Sequence, residues 1–281
     1  MADPAPFSFE TREEKKSYVE HMFGQIAHRY DFFNHFLSLG FDYAWRRRAI
    51  EVLRSRLPVE ITNYELRITN DNSPAESNTQ IPDSIRNSQF VIRNSPPGPR
   101  ILDIACGTGD LAFEALKQMP DAAMTGVDLT QPMLDLFRKK AEEKNAIITI
   151  ERGDVEHLEF PDNTFDGVTI GFGTRNFTNL SIAFSEIYRV LKPEGVFVNL
   201  ELAKPRVFPM KQLYNFYFNV LLPLIGTLFS GHNSAYKYLP DSLRKFPDLE
   251  ALAALMEEAG FQNVRWETRT AGIVAIHSGV K

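Results

Sequence analysis

Cysteine is almost missing from this sequence: Cys106 is the one such residue among 281. A lone thiol forms no internal disulfide, which excludes a disulfide-stapled scaffold and fits a reducing compartment. Long apolar runs are missing too. Nowhere do 18 hydrophobic residues follow one another, so no helix of the sequence reads as a bilayer span. The first residues, through Thr11 to Lys16, carry no apolar core of a signal peptide. Positive charge is not in excess: Lys plus Arg is 31 against 36 for Asp plus Glu, and the net −5 argues against a broad nucleic-acid face. What is present, 43% hydrophobic and 24% charged residues, suffices for a sizeable core. The expectation is a cytoplasmic globular protein with no nucleic-acid partner.

Residues 12–57 read as helical. Tyr18, Met22, Ile26 and Tyr30 recur every fourth position, and Trp45, Ile50, Leu53 and Leu57 continue the apolar stripe until Pro58. Residues 1–58 are expected to form an N-terminal helical segment, a lid or substrate-side element. The stretch 60–98 is rich in Asn, Ser, Thr and Pro and half-repeats itself, which predicts a disordered polar insertion without chemistry of its own. From 99 to 281 strand and helix patterns alternate. Strands are expected at 100–105, 123–128, 147–152, 165–171 and 196–201. Helices are expected after Gly109, near Pro132 and over 182–191. A helix at 249–259 and a closing antiparallel pair at 264–267 and 273–280 complete the pattern. This is an α/β, Rossmann-like fold with a mostly parallel sheet covered by helices on both faces.

A glycine loop carries the first chemical signal. Asp103 to Ala112 follows a strand and opens a helix, and Gly107, Thr108 and Gly109 form its turn. Gly107, Gly109 and Ala112 also satisfy the dinucleotide pattern, so the loop alone leaves open a nicotinamide cofactor or S-adenosylmethionine. Nineteen residues after Gly109, Asp128 ends the second strand, where a carboxylate accepts from ribose hydroxyls in either case. Asp103 favours the cationic cofactor. A pyrophosphate within ~4 Å of that carboxylate meets a repulsion of about 4 kcal/mol at an effective dielectric near 20, whereas an ammonium and a sulfonium are attracted.

Further stretches resemble one family, the menaquinone/ubiquinone C-methyltransferases, which are class I S-adenosylmethionine-dependent enzymes. Tyr30 to Arg46, Arg189 to Gly195 with Leu200 to Pro205, Phe165 to Asn176 and the tail from Ala271 to His277 are similar to that family's motifs. The likeness covers nearly everything outside 60–98. It implies a seven-stranded sheet, with substrate-side helices around 206–246. It also implies methyl transfer to a ring carbon of a prenylated hydroquinone, demethylmenaquinol first and a ubiquinone precursor as the alternative. A catalytically silent scaffold in a quinone-synthesis assembly and a nicotinamide dehydrogenase are the competing readings.

On this resemblance Asp154 accepts from the adenine amino group and Val155 packs on its ring, with Leu129 and Gly171 as further cofactor contacts. Arg175 stabilises the developing phenolate, Asn176 holds a ring oxygen and Tyr30 relays or orients the proton. The alternative for Arg175 is a structural pairing with Glu201. Asp42 stands where the family usually has His, and Glu194 where it has a turn glycine.

No Cys/His cluster shows metal-ligand spacing. His21, His28 and His35, seven apart, read as one solvated helical face. Residues 212–229, aromatic and interrupted by Pro223, are read as an isoprenoid channel, a lipid- or dimer-facing surface, or core.

Overall fold

The structure, a computed structural model, describes residues 9–58, 98–217 and 234–281. The expected insertion at 60–98 lies outside them except for Gly98, as does the expected apolar segment from 218 to 229.

Two helices open the chain. Helix α1 (Arg12–Leu37) is capped by Thr11, whose hydroxyl accepts from the Glu14 amide at 3.1 Å. The 12–57 helix is not continuous. Leu39 and Gly40 adopt left-handed φ values of 52° and 77°, and α2 (Phe41–Arg56) starts in a new direction. A seven-stranded sheet follows in the order β3-β2-β1-β4-β5-β7-β6. Its strands are β1 (Arg100–Ile104), β2 (Ala123–Asp128), β3 (Ile148–Arg152), β4 (Phe165–Gly171), β5 (Leu191–Leu202), β6 (Gln262–Arg269) and β7 (Val274–Val280). All pairings are parallel except those of β7, which runs antiparallel to β5 and β6. The helices between them are α3 (Asp110–Gln118), α4 (Gln131–Glu143), α5 (Leu180–Val190), α6 (Met210–Phe216), α7 (Ser234–Lys245) and α8 (Leu249–Glu258).

Period-2 alternation along the central strands supplies both faces of the core. Ile101 points toward α2, α3 and α4, packing with Leu53, Ala112 and Phe137, while Leu102 points toward α5 and α8, packing with Ile187 and Met256. Helix α2 is part of this first layer, since Ala49, Ile50 and Leu53 are fully buried. Strand β5 is longer than its apolar run predicts because the turn Pro193-Glu194-Gly195 lies within it. Glu194 there takes φ 65°, a conformation that costs a non-glycine residue about 1–2 kcal/mol.

The chain winds from β1 outward to β3, then returns to β4 on the other side of β1. That reversal opens a crevice at the carboxyl ends of β1 and β4, where ligands of open α/β sheets bind.

Candidate active site

The crevice is lined by the tips of four strands. Ala105 and Gly107 come from the loop after β1, Asp128 and Leu129 from β2, Gly153 to Val155 from β3, and Gly171 to Gly173 with Asn176 from β4. Gly107, at φ 55°, leaves its amide free to bond the Asp128 Oδ2 at 2.9 Å, while Asp128 Oδ1 accepts from the Thr130 amide at 2.8 Å. Burial raises the Asp128 carboxyl above its ordinary value, against these amide hydrogen bonds from Thr130 and Gly107.

Asp103 sits one layer deeper and does not line the crevice. It is 1% exposed; Oδ1 accepts from the Thr169 hydroxyl at 2.8 Å, and Oδ2 has no hydrogen-bond partner. Burial pushes its carboxyl up to about 7, with the Thr169 hydrogen bond pulling the other way. Thr108 and Gly109 also stay outside the crevice wall. Thr108 donates to Asp31 Oδ1 at 2.5 Å, and a Cβ on Gly109 would lie 2.1 Å from the Phe137 ring, so this glycine is required by packing.

Helix α1 closes the crevice from above. Lys16, Val19, Phe23 and Tyr30 all line it and share one helical face. Ion pairs hold the helix down: Lys16 Nζ lies 2.5 Å from Asp154 Oδ2, Glu20 2.6 Å from Arg152, and Asp31 2.6 Å from Lys140. Asp154 therefore accepts from Lys16, and through Oδ1 from the Glu156 amide at 3.0 Å; Val155 beside it is buried. Lys16, Val19 and Phe23 were not singled out in the sequence. Their spacing of three and seven was the available signal, and it merges with the apolar stripe of Met22 and Ile26.

A second cavity of about 430 Å³ adjoins the crevice, formed by α1, α2, α6 and the loop after β4. Its walls are mostly apolar and aromatic, among them Leu37, Phe41, Trp45, Leu202, Leu213 and Tyr217; Asp42, Arg46 and Arg175 bring charge. Tyr30 and Phe172 line both spaces and form the boundary between them. Burial raises the Tyr30 phenol above its ordinary value, against the nearby Arg175 charge and a hydrogen bond with Asn34.

The turn Thr174–Asn176 places Arg175 at the cavity wall and Asn176 in the crevice. Arg175 does meet Glu201: Nη1 donates to Glu201 Oε1 at 2.6 Å and to the Phe172 carbonyl at 2.5 Å. Burial works against the guanidinium charge, but Glu201 outweighs it and holds the pKa above its usual value. Arg175 Nε and Asn176 Oδ1 remain buried without partners. Such orphaned atoms are uncommon in folded proteins. Asn199 Nδ2 and His277 Nδ1 are further examples, so the coincidence with three residues singled out from the sequence, Asp103 among them, is partial.

The histidine row divides. His21 and His28 are exposed, whereas His35 Nδ1 lies 2.6 Å from Asp42 Oδ2 and its ring stacks on Tyr43 at 4.4 Å. Asp42 also pairs with Arg46 and accepts from Ser38 at 2.6 Å. Burial raises its carboxyl, but Ser38, Arg46 and His35 together hold it below the usual range. Among the described residues no group of three His, Cys, Asp or Glu is placed to hold a metal ion.

Comparisons with known proteins bear on the fold and the family. The fold is shared with the crystal structure of a SAM-dependent methyltransferase from Thermotoga maritima, at TM-score 0.57 and 16% identity, covering 94% of this chain and 99% of that one. A demethylmenaquinone methyltransferase of Thermus thermophilus is 39% identical over 92% of this chain and 99% of its own. A ubiquinone/menaquinone biosynthesis C-methyltransferase UbiE of Geobacter sulfurreducens is 39% identical over 95% and 90%. The ubiE/COQ5 methyltransferase family matches residues 80–281, and this chain belongs to that family.

Proposed function

We propose that this enzyme moves a methyl group from S-adenosylmethionine to a ring carbon of a prenylated hydroquinone, with demethylmenaquinol as acceptor. The observation that carries the reading is the meeting of two unlike spaces at Tyr30 and Phe172: an acid-tipped crevice at the strand ends and an apolar cavity of about 430 Å³. The names of the Thermus and Geobacter relatives support the quinol ring as acceptor.

The residues fit the donor. Asp128 keeps lone pairs for ribose hydroxyls, Gly107 lets backbone approach, and Asp103 Oδ2 is an unpartnered carboxyl oxygen behind the loop. Asp154 and Val155 stand where an adenine would be held, and Leu129 and Gly171 complete the walls. Bound there, the donor supplies an electrophilic methyl on a sulfonium.

The acceptor needs activation, because a neutral aromatic carbon is a weak nucleophile. Loss of a hydroxyl proton puts electron density onto the adjacent ring carbon. That carbon forms the new C–C bond as the C–S bond breaks; the ring proton then passes to the ring oxygen, restoring aromaticity and the hydroxyl, so that one proton in all is released. Arg175, charged and largely shielded from water, stabilises the developing phenolate. Asn176 orients a ring oxygen through its unpartnered amide oxygen, and Tyr30 sits at the boundary to pass or orient the proton. Alignment of the two substrates is worth roughly 7–11 kcal/mol. Incubation with methyl-labelled S-adenosylmethionine and reduced demethylmenaquinone tests the reading. Label on the ring carbon supports it; no transfer, or label on oxygen, refutes it. A benzoquinol acceptor run in parallel tests the ubiquinone branch.

The acceptor's tail is itself a membrane lipid, and the cavity mouth suits that origin. Leu39 and Phe41 at the α1–α2 turn line the mouth yet are 81% and 50% exposed. We propose that this rim rests on the bilayer surface; among the described residues no helix is long and apolar enough to cross it. A Leu39→Ser/Phe41→Ser double variant is expected to lose flotation with phosphatidylglycerol vesicles, each buried apolar side chain contributing about 1.5–3 kcal/mol. Flotation equal to wild type would remove the membrane reading.

A further inference from the structure

Phe172 is the unusual residue at the boundary. It is a bulky residue held at φ 60°, in the left-handed region that aromatic side chains rarely occupy. Strain of this kind persists only where surrounding structure enforces it, and here the enforcement is visible. The Phe172 amide donates to the Leu200 carbonyl at 2.8 Å, and its carbonyl accepts from Arg175 Nη1 at 2.5 Å. The Arg46 guanidinium lies 5.9 Å from the ring centroid, and Trp45 approaches edge-on at 6.2 Å. Trp45 is fixed in turn by a 2.8 Å hydrogen bond from Nε1 to the Thr270 hydroxyl.

Both neighbours of Phe172 are glycines; Gly173 has no room for a side chain and Gly171 only a tight fit. A Cβ on Gly173 would lie 2.5 Å from the Ala105 Cβ, and one on Gly171 would lie 3.2 Å from Leu111 Cδ2. The tip of β4 therefore presents one ring and nothing beside it, on the border of the donor crevice and the acceptor cavity. A core aromatic that served packing alone would not need a strained backbone, two bare flanks and contact with both spaces.

We propose that Phe172 is a specificity-determining residue: its ring is the flat surface that selects a planar aromatic acceptor and sets the reacting carbon opposite the donor. The inference rests on the methyl-transfer reading and adds the element that chooses the acceptor. Arg175 and Arg46 act on it from two sides, so the cation that steadies the phenolate also fixes the surface on which the ring lies.

The test uses Phe172→Leu, apolar and of moderate size but not flat, and Phe172→Gly, which relieves the strained backbone. In a Trp266→Phe background, demethylmenaquinone binding is read by quenching of Trp45, and S-adenosylhomocysteine binding by calorimetry. The expected result is a loss of about tenfold or more in quinone affinity and in kcat for both variants, since one tenfold step is the scale of a single lost contact. Cofactor-product affinity should fall by clearly less than quinone affinity, since Phe172 is one of many residues lining the crevice. Wild-type quinone affinity and turnover in Phe172→Leu would overturn the proposal. So would equal loss of both ligands in Phe172→Gly, which would mark a structural role. If the unmodified protein bound and methylated no quinol, the substrate reading itself would fall, and the proposal with it; normal wild-type turnover with indifferent variants would sink the proposal alone.

Discussion

Replacing Arg175 by methionine together with Glu201 by glutamine is expected to lower kcat by about 100- to 1,000-fold, the scale of losing one preorganised donor to a developing oxyanion. The paired substitution is needed because the two groups are buried against each other, with side chains 9% and 2% exposed. Removing the guanidinium alone would strand the Glu201 carboxylate, a loss of about 3–5 kcal/mol in stability that would obscure the chemistry. Donor affinity should change little, since Arg175 lines the acceptor cavity and not the crevice. Single-turnover kinetics beside calorimetry separates these effects. If donor binding fell as far as kcat did, the Arg175–Glu201 pair would be a fold element and the phenolate would need another partner.

A pH-dependent donor affinity is the second large effect. Asp103 is buried, and its carboxyl is raised from 3.8 to about 7. A cationic donor favours the ionised form, so binding below pH 7 must release a proton. Affinity should then rise with pH up to about 7, by at most about tenfold per unit, and level off above it. Folding stability runs the opposite way. A carboxyl whose folded pKa is raised takes up a proton on folding, so this contribution weakens stability as pH climbs from 3.8 through about 7. Asp128 shifts in the same direction, which is why Asp103→Asn is the informative comparison. That variant should show a flatter affinity profile, and a stability advantage that is absent near pH 4 and complete above about 7. Identical pH profiles for variant and parent would remove Asp103 from the donor's surroundings.

Much of the fold was legible because local pattern and tertiary role coincide. The strand at 165–171 is a buried run and that at 123–128 a half-buried one, and their ends fall where the pattern placed them. The glycine loop was legible for the same reason, since Gly107 and Gly109 both take positive φ. Their roles differ, however, and only the surroundings reveal it: Gly107 opens the crevice, while Gly109 makes room for Phe137, 28 residues away.

What escaped the sequence depends on contacts between distant segments. Lys16 reads as one more charged residue in Glu13-Glu14-Lys15-Lys16 until α1 is laid over the tip of β3 and its ammonium meets Asp154. His35 reads as solvated until the break at Leu39–Gly40 turns α2 back and brings Asp42 beside it. Phe172 lies within a recognisable motif, but periodicity carries no trace of its backbone conformation. Its dependence on Arg46 and Trp45, more than 120 residues earlier, exists only in the folded chain. Asp103 behaved differently again. It was legible as an acid at a strand end, yet it lies behind the crevice wall, where pattern alone does not place it.

A crystal structure of the complex with S-adenosylhomocysteine and a short-chain demethylmenaquinone tests the central claim most directly. The account predicts ribose on Asp128, the sulfur facing the Tyr30–Phe172 boundary, and the quinone ring across that boundary within the apolar cavity. A thioether bound elsewhere, or a quinone lodged away from Phe172 with its ring facing solvent, would contradict it.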